Sequence, residues 1–154
     1  ALMTRFDTIS IVSIVQQQRT GAWSIASFPL VVSGVAYLML LPAVLGLRPF
    51  EVAGAAQEIS SGPQVELGGP YLALATMQHG LSMYIGVSLF VNLVLGGAAN
   101  PLFFLVKVLV VLALCLFVNA SFPRFRVEQA IAYLWRWPTL LALAGLILAV
   151  VIER

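Results

Sequence analysis

No charged side chain lies between Arg19 and Arg48, and between Glu66 and Lys107 only His79 titrates near neutrality. Crossing a bilayer core takes roughly 20 predominantly apolar residues, so each gap is long enough to hold membrane-spanning helix. The first gap predicts a helix over about residues 23–47. The second breaks at Gly96-Gly97-Ala98-Ala99-Asn100-Pro101, a turn by composition, and so predicts helices over about 71–95 and 101–119. The last gap, Trp137–Ile152, reaches spanning length by borrowing from 131–137 and predicts a helix over about 134–152. Pro138 suits its first turn, and Tyr133, Trp135 and Trp137 suit the membrane interface.

Composition agrees. The chain is 61% apolar and 9% charged, against about a quarter charged in ordinary soluble domains, so it cannot coat a water-soluble globule. This excludes a typical cytosolic enzyme, a secreted disulfide scaffold and a disordered tail. A net charge of +2 is too small to suggest nucleic-acid binding. The lone Cys115, inside an apolar run, supports neither a disulfide framework nor a metal cluster. The expected class is an all-α, polytopic membrane protein with four transmembrane helices.

Residues 1–22 read as an amphipathic segment. Ile11, Val12, Ile14 and Val15 fall on one face of a short helix that Asp7 or Thr8 can cap. At about three turns it is too short to span, and it is expected along the membrane surface or against a neighbouring helix. The signal-peptide arrangement is absent. Residues 23–154 form the bundle, with loops 48–70 and 120–133 on one side. That side and its flank carry Arg48, Arg124, Arg126 and Arg136; the other carries Arg5, Arg19 and Arg154. The excess leans toward a cytoplasmic position for the two loops. So few polar residues on the helices imply partners packed through small residues such as Gly34, Gly80 and Gly86.

The chemistry concentrates in few places. Loop 48–70 holds Glu51, Glu58 and Glu66, three of the six acids. A polar connection of that length is uncommon unless functional or disordered, and its apolar residues argue for a folded loop. The acids either face water or line a wet cavity at membrane depth, where non-helical backbone survives only if protein or water satisfies it. His79 and Lys107 fall inside predicted helices, where an ionisable group costs about 2–3 kcal/mol at the centre. Lys107 can snorkel to the near interface. His79 can bond a carbonyl or handle protons. His79 lies nearer the loop end and Lys107 nearer the 96–100 turn, so the two are not expected to touch. The second polar cluster, Phe122–Gln129, offers Arg124 and Arg126 as interfacial anchors or as partners for the loop acids. There is no nucleotide loop, no His-Glu-x-x-His, no cysteine pair for an iron–sulfur cluster and no nucleophile triad. Any redox centre therefore belongs to another subunit.

These two loops resemble the C-terminal half of the family containing subunit 1 (the H subunit) of respiratory complex I. That family also includes the equivalent membrane subunits of energy-converting nickel–iron hydrogenases. Its Arg-Pro-Pro-Phe-Asp stretch is matched by Arg48-Pro49-Phe50-Glu51. Its later acidic and Glu-containing runs are matched by Gln57-Glu58-Ile59-Ser60-Ser61-Gly62 and Val65-Glu66-Leu67-Gly68-Gly69. Pro123-Arg124-Phe125-Arg126-Val127-Glu128-Gln129 resembles the family's Pro-Arg-Tyr-Arg-Tyr-Asp-Gln, and Lys107 matches a lysine early in the next-to-last helix.

The resemblance implies a loop lining a chamber beneath an iron–sulfur-bearing soluble arm. Its acids would link redox events to proton or sodium movement in antiporter-like neighbours. Glu51, Glu58, Glu66, His79 and Lys107 would serve coupling or the ion path, and Arg48, Arg124, Arg126 and Glu128 loop pairing or docking. It also implies about eight helices in the whole protein, of which this chain supplies the last four. No cofactor is expected in this chain; iron–sulfur clusters with a nickel–iron centre, or with flavin and quinone, are implied in partner subunits. The expected setting is the cell (inner) membrane. Ala53, Gly54 and Ala56 replace a Pro-Glu-Ala-Glu run, Leu67 replaces a tyrosine, and His79 stands where complex I subunits often carry glutamate. These departures favour the hydrogenase-like branch over a quinone-chamber subunit of complex I. A structural anchor or small transporter is the alternative of another class.

Overall fold

The computed structural model describes residues 2, 6–7, 10–20, 27–51 and 67–152. Glu58 and Glu66 lie outside the described residues, as do Ala53, Gly54 and Ala56. The described residues form five helices and no strand: α1 (Ile11–Arg19), α2 (Phe28–Val44), α3 (Gly69–Leu93), α4 (Pro101–Ser121) and α5 (Val127–Ile152). Three of them, α3, α4 and α5, are long and apolar enough to cross a membrane; α2 is apolar but only 17 residues long. Proline stands in the first turn of α2, α3 and α4, where its missing N–H is no loss and its fixed φ suits the helix.

α2 is the hub of the bundle. α3, α4 and α5 all pack against it, and α3 also packs on α4 and α1. α4 and α5 touch each other at most at isolated points. The core holds Leu41 and Leu45 at the end of α2, Val87 and Val91 of α3, and Val108, Val111 and Cys115 of α4. Close approach depends on small residues. A Cβ on Gly145 of α5 would run into Ser33 Oγ and would lie 3.0 Å from the Ser33 nitrogen and 3.2 Å from the Pro29 carbonyl. Gly34 likewise receives Val94, and Gly86 receives Val44 and Leu45, whereas Gly80 meets nothing among the described residues.

Pro138 lies inside α5 rather than in its first turn. The helix starts upstream, at Val127, because Gln129 stabilises that start: its side-chain oxygen accepts from the Arg126 backbone N–H at 3.1 Å. This is the back-reaching half of a capping box. A proline in the interior leaves the carbonyl four residues earlier without its helical donor. Thr139 supplies one, its hydroxyl donating to the Leu134 carbonyl at 2.8 Å.

Candidate functional site

The 45–51 segment and the 122–126 segment meet at one end of the bundle, and three kinds of contact hold them together. The Arg48 backbone N–H donates to Asn119 Oδ1 at 2.8 Å, which ties the loop to the last turn of α4. The Phe125 N–H donates to the Pro49 carbonyl at 2.9 Å. The rings of Phe50, Phe125 and Tyr133 cluster, with centroids 5.3–6.1 Å apart and Phe50 edge-on to Phe125. Such pairs add about 0.5–1.5 kcal/mol beyond their buried area.

Glu51 lies between two guanidinium groups. Its Oε2 accepts from Arg124 Nη2 at 3.3 Å and lies 3.5 Å from Arg48 Nε. The three groups are only partly exposed, with side-chain accessibilities of 46% for Arg48, 34% for Glu51 and 24% for Arg124. Arg48 and Glu51 belong to one segment and Arg124 to the other, so the carboxylate bridges the two loops in the same place as the backbone bond and the rings.

The other expected residues are placed differently. Arg126 and Glu128 are exposed at the start of α5 and pair with no opposite charge among the described residues. Glu128 in the first turn suits the positive end of the helix dipole. His79 is exposed on α3 and lies beside Gly46, where an added Cβ would be 3.7 Å from His79 Cε1. It shares the loop end with Glu51, but no hydrogen bond joins them.

Lys107 belongs to the opposite end. Its ammonium donates to the Leu95 carbonyl at 2.9 Å and the Gly97 carbonyl at 2.6 Å, at the turn that Gly96 and Gly97 make with positive φ. Gln18 of α1 joins the same cap. It is 2% exposed, and its Nε2 donates to the Leu93 carbonyl at 3.0 Å. Gln18 thus satisfies a carbonyl orphaned at the end of α3, and Lys107 two carbonyls of the turn that follows. Gln18 was invisible to sequence reasoning, as were the contacts of Asn119 and Tyr133, since a single polar or aromatic residue in a helix carries no positional signature. Among the described residues no group of three or more His, Cys, Asp or Glu could hold a metal ion.

An apolar cavity of about 280 Å³ lies under the joined loops, between α2, α4 and the start of α5. Leu38 and Pro42, Leu114 and Val118, and Phe122 and Tyr133 line it, with the Phe50 and Phe125 rings as its roof.

Known proteins of similar sequence and structure agree with one another. The family model described as NADH dehydrogenase matches residues 1–150. An NADH-quinone oxidoreductase H subunit of Cereibacter sphaeroides is 31% identical over 140 residues, covering 87% of this chain and 43% of its own length. The NADH-quinone oxidoreductase H subunit of Dehalococcoides mccartyi is 29% identical over 117 residues, covering 73% and 33%. Among solved structures, a chain of the membrane-bound sulfane sulfur reductase, an archaeal respiratory membrane complex, superposes with a TM-score of 0.87 at 37% identity. That match covers 96% of this chain and 52% of the other. The chain thus spans between a third and about half of the length of these relatives.

Proposed function

This chain belongs to the NADH dehydrogenase family, and from that premise we infer that it is part of the membrane subunit of a redox-driven, ion-translocating respiratory complex. It serves an oxidoreductase without holding the redox centres, which belong to its partners. All four of α2 to α5 cross the bilayer. α2 spans about 26 Å at 1.5 Å per residue, and the flanking chain makes up the rest of the ~30 Å core. α1 lies at the far interface. The joined loops face the cytoplasm, following their arginine excess, and form the surface on which soluble iron–sulfur and hydrogenase-like large and small subunits dock. Antiporter-like membrane subunits take up the coupled proton or sodium movement. The nickel–iron and iron–sulfur centres sit in the soluble partners.

The observation that carries this reading is the clamp around Glu51. A carboxylate held between Arg48 and Arg124, on two loops bonded backbone to backbone, is a charged element fixed at the end of an apolar bundle. Such an element responds to charge arriving in a protein docked over it, because in a medium less polar than water charges act over longer range. Glu58 and Glu66 carry or relay the coupled charge, with His79 at the same end, and Lys107 serves the far end of the path. Purification of the intact complex tests the reading. Co-purifying subunits containing nickel and iron, with hydrogen evolution from a reduced ferredoxin and no quinone requirement, are expected.

Ala53, Gly54 and Ala56, in place of the Pro-Glu-Ala-Glu run, favour this branch, and the likeness to the sulfane sulfur reductase supports the coarser reading of a respiratory membrane complex. The curated relatives, named as H subunits of NADH-quinone oxidoreductase, favour a second reading in which the loop end lines a quinone chamber. Flavin in the purified complex and inhibition by quinone-site ligands would select the second.

A further inference from the structure

The two helices that fail to pack on each other leave a gap that something must fill. α4 and α5 both lean on α2, and the cavity occupies the space between them at the loop end. Its lining steps one turn along α4 from Leu114 to Val118 and continues to Phe122 just past the helix end, so it runs about 10 Å along the helix axis at 1.5 Å per residue. No charged side chain lines it. Leu114 and Phe122 are 47% and 52% exposed, so the cavity is an apolar groove open to the surroundings of the bundle, which in a membrane are lipid.

Its depth in the bilayer follows from α5. That helix has 26 residues, about 39 Å, which exceeds the ~30 Å hydrocarbon core by about two turns. Trp135 and Trp137 are exposed at 74% and 60%, and exposed tryptophans favour the headgroup level. Tyr133, at the roof end of the cavity, therefore sits at the headgroups, and Val118 and Leu114 lie below it, among the acyl chains. The cavity therefore lies at the depth of the lipid tails.

Charge selects the headgroup. Arg136, exposed between the two tryptophans, stands three residues beyond Tyr133 on α5, a spacing that puts the two on neighbouring parts of one helix face. Arg136 is therefore an exposed cation at headgroup level within one helical turn of a residue that lines the cavity. Arg48 precedes Pro49, which lines the roof, and its side chain is 46% exposed with Glu51 on one side at 3.5 Å, so its outer N–H groups reach water. Arginine pairs well with a phosphate, and anionic lipid surfaces draw basic interfacial side chains.

We propose that the α4–α5 cleft binds one anionic phospholipid, its acyl chain along Leu114, Val118 and Phe122 and its phosphate against Arg136 and Arg48 at the mouth. The site is independent of the redox chemistry assigned to the complex. The bound tail fills the gap from which the Phe50, Phe125 and Tyr133 rings rise, and so supports the loop clamp from below.

The test uses the intact complex in vesicles containing phosphatidylglycerol or phosphatidylcholine with a photoreactive acyl chain, and maps the labelled peptides by mass spectrometry. Labelling of the Leu114–Phe122 strip is expected to be about fivefold stronger with phosphatidylglycerol and to be competed away by unlabelled phosphatidylglycerol. Leu114→Trp, which fills the cavity, should remove it. Arg136→Gln should reduce the preference between the two lipids while cleft labelling persists. If the tryptophan variant does not assemble, competition on the unmodified complex still decides: saturable labelling supports the site, and non-saturable labelling overturns it. Equal labelling of the cleft and of the outward α4 face at Leu105 and Leu109, no labelling because a partner helix fills the cleft, or a quinone recovered in place of the phospholipid would each refute the proposal.

Discussion

Replacing Glu51 by glutamine removes one negative charge and leaves the side-chain shape and an acceptor oxygen in place. Both ion pairs end on the same Oε2, at 3.3 Å from Arg124 and 3.5 Å from Arg48. Partly exposed pairs of this kind contribute about 0.5–1 kcal/mol each, so the variant should weaken the association of the two loops by about 1–2 kcal/mol. That corresponds to roughly a 5- to 30-fold shift in an opening equilibrium. The Phe125–Pro49 backbone hydrogen bond and the aromatic cluster are untouched, and the bond alone is worth about 0.5–1.5 kcal/mol, so the loops should remain joined. Hydrogen–deuterium exchange at the Phe125 amide in the assembled complex reads this directly. Its exchange should speed up roughly 5- to 30-fold while the amides of α3 and α4 do not change. No acceleration would show that the ion pairs do not hold the clamp. Acceleration beyond about 100-fold would show that charge, and not the backbone bond and the rings, holds the loops together.

Other consequences follow from the same geometry. Lys107→Met leaves the part-buried Leu95 and Gly97 carbonyls without their donor and should cost about 2–6 kcal/mol, at roughly 1–3 per unsatisfied group, read as a lower Tm and faster proteolysis at the 94–100 turn; Lys107→Arg should recover most of it. Gly145→Leu wedges α5 away from Ser33 and Pro29 of α2 and should prevent a stable bundle from forming, since overpacking typically costs about 1–3 kcal/mol or more, measured as loss of monodisperse protein on size exclusion. Thr139→Val removes the hydroxyl that serves the Leu134 carbonyl beside Pro138 and should cost about 1–2 kcal/mol in thermal unfolding. Gln129→Ala should destabilise the first turn of α5 by about 0.5–1 kcal/mol, visible as faster amide exchange over residues 126–130.

Much of this architecture was legible from where charges are absent. The gap between Glu66 and Lys107 holds α3 and the start of α4, the uncharged run from Lys107 to Arg124 holds the rest of α4, and the run beyond Arg136 holds most of α5, with Pro101 marking the start of α4. The start of α5 was not legible: Arg126 and Glu128 make 127–133 read as loop, because a hydropathy rule cannot see a helix that begins among polar residues on the strength of its cap. Lys107 was legible as an ionisable group inside a helix near the 96–100 turn, but not the carbonyls it reaches, which depend on how Gly96 and Gly97 turn. The Arg48–Glu51 and Arg124–Arg126 motifs were legible as two polar clusters on one side. That Glu51 meets Arg124 while Arg126 and Glu128 find no partner among the described residues depends on the Pro49–Phe125 register and on Asn119, neither of which leaves a pattern in the chain.

If the loop carboxylates couple electron flow to ion movement, Glu66→Gln in the reconstituted complex must separate the two. Electron transfer and the ion gradient are measured in the same proteoliposomes. Full assembly and continuing electron transfer are expected, with the gradient collapsed. An unchanged number of ions moved per electron would contradict that coupling.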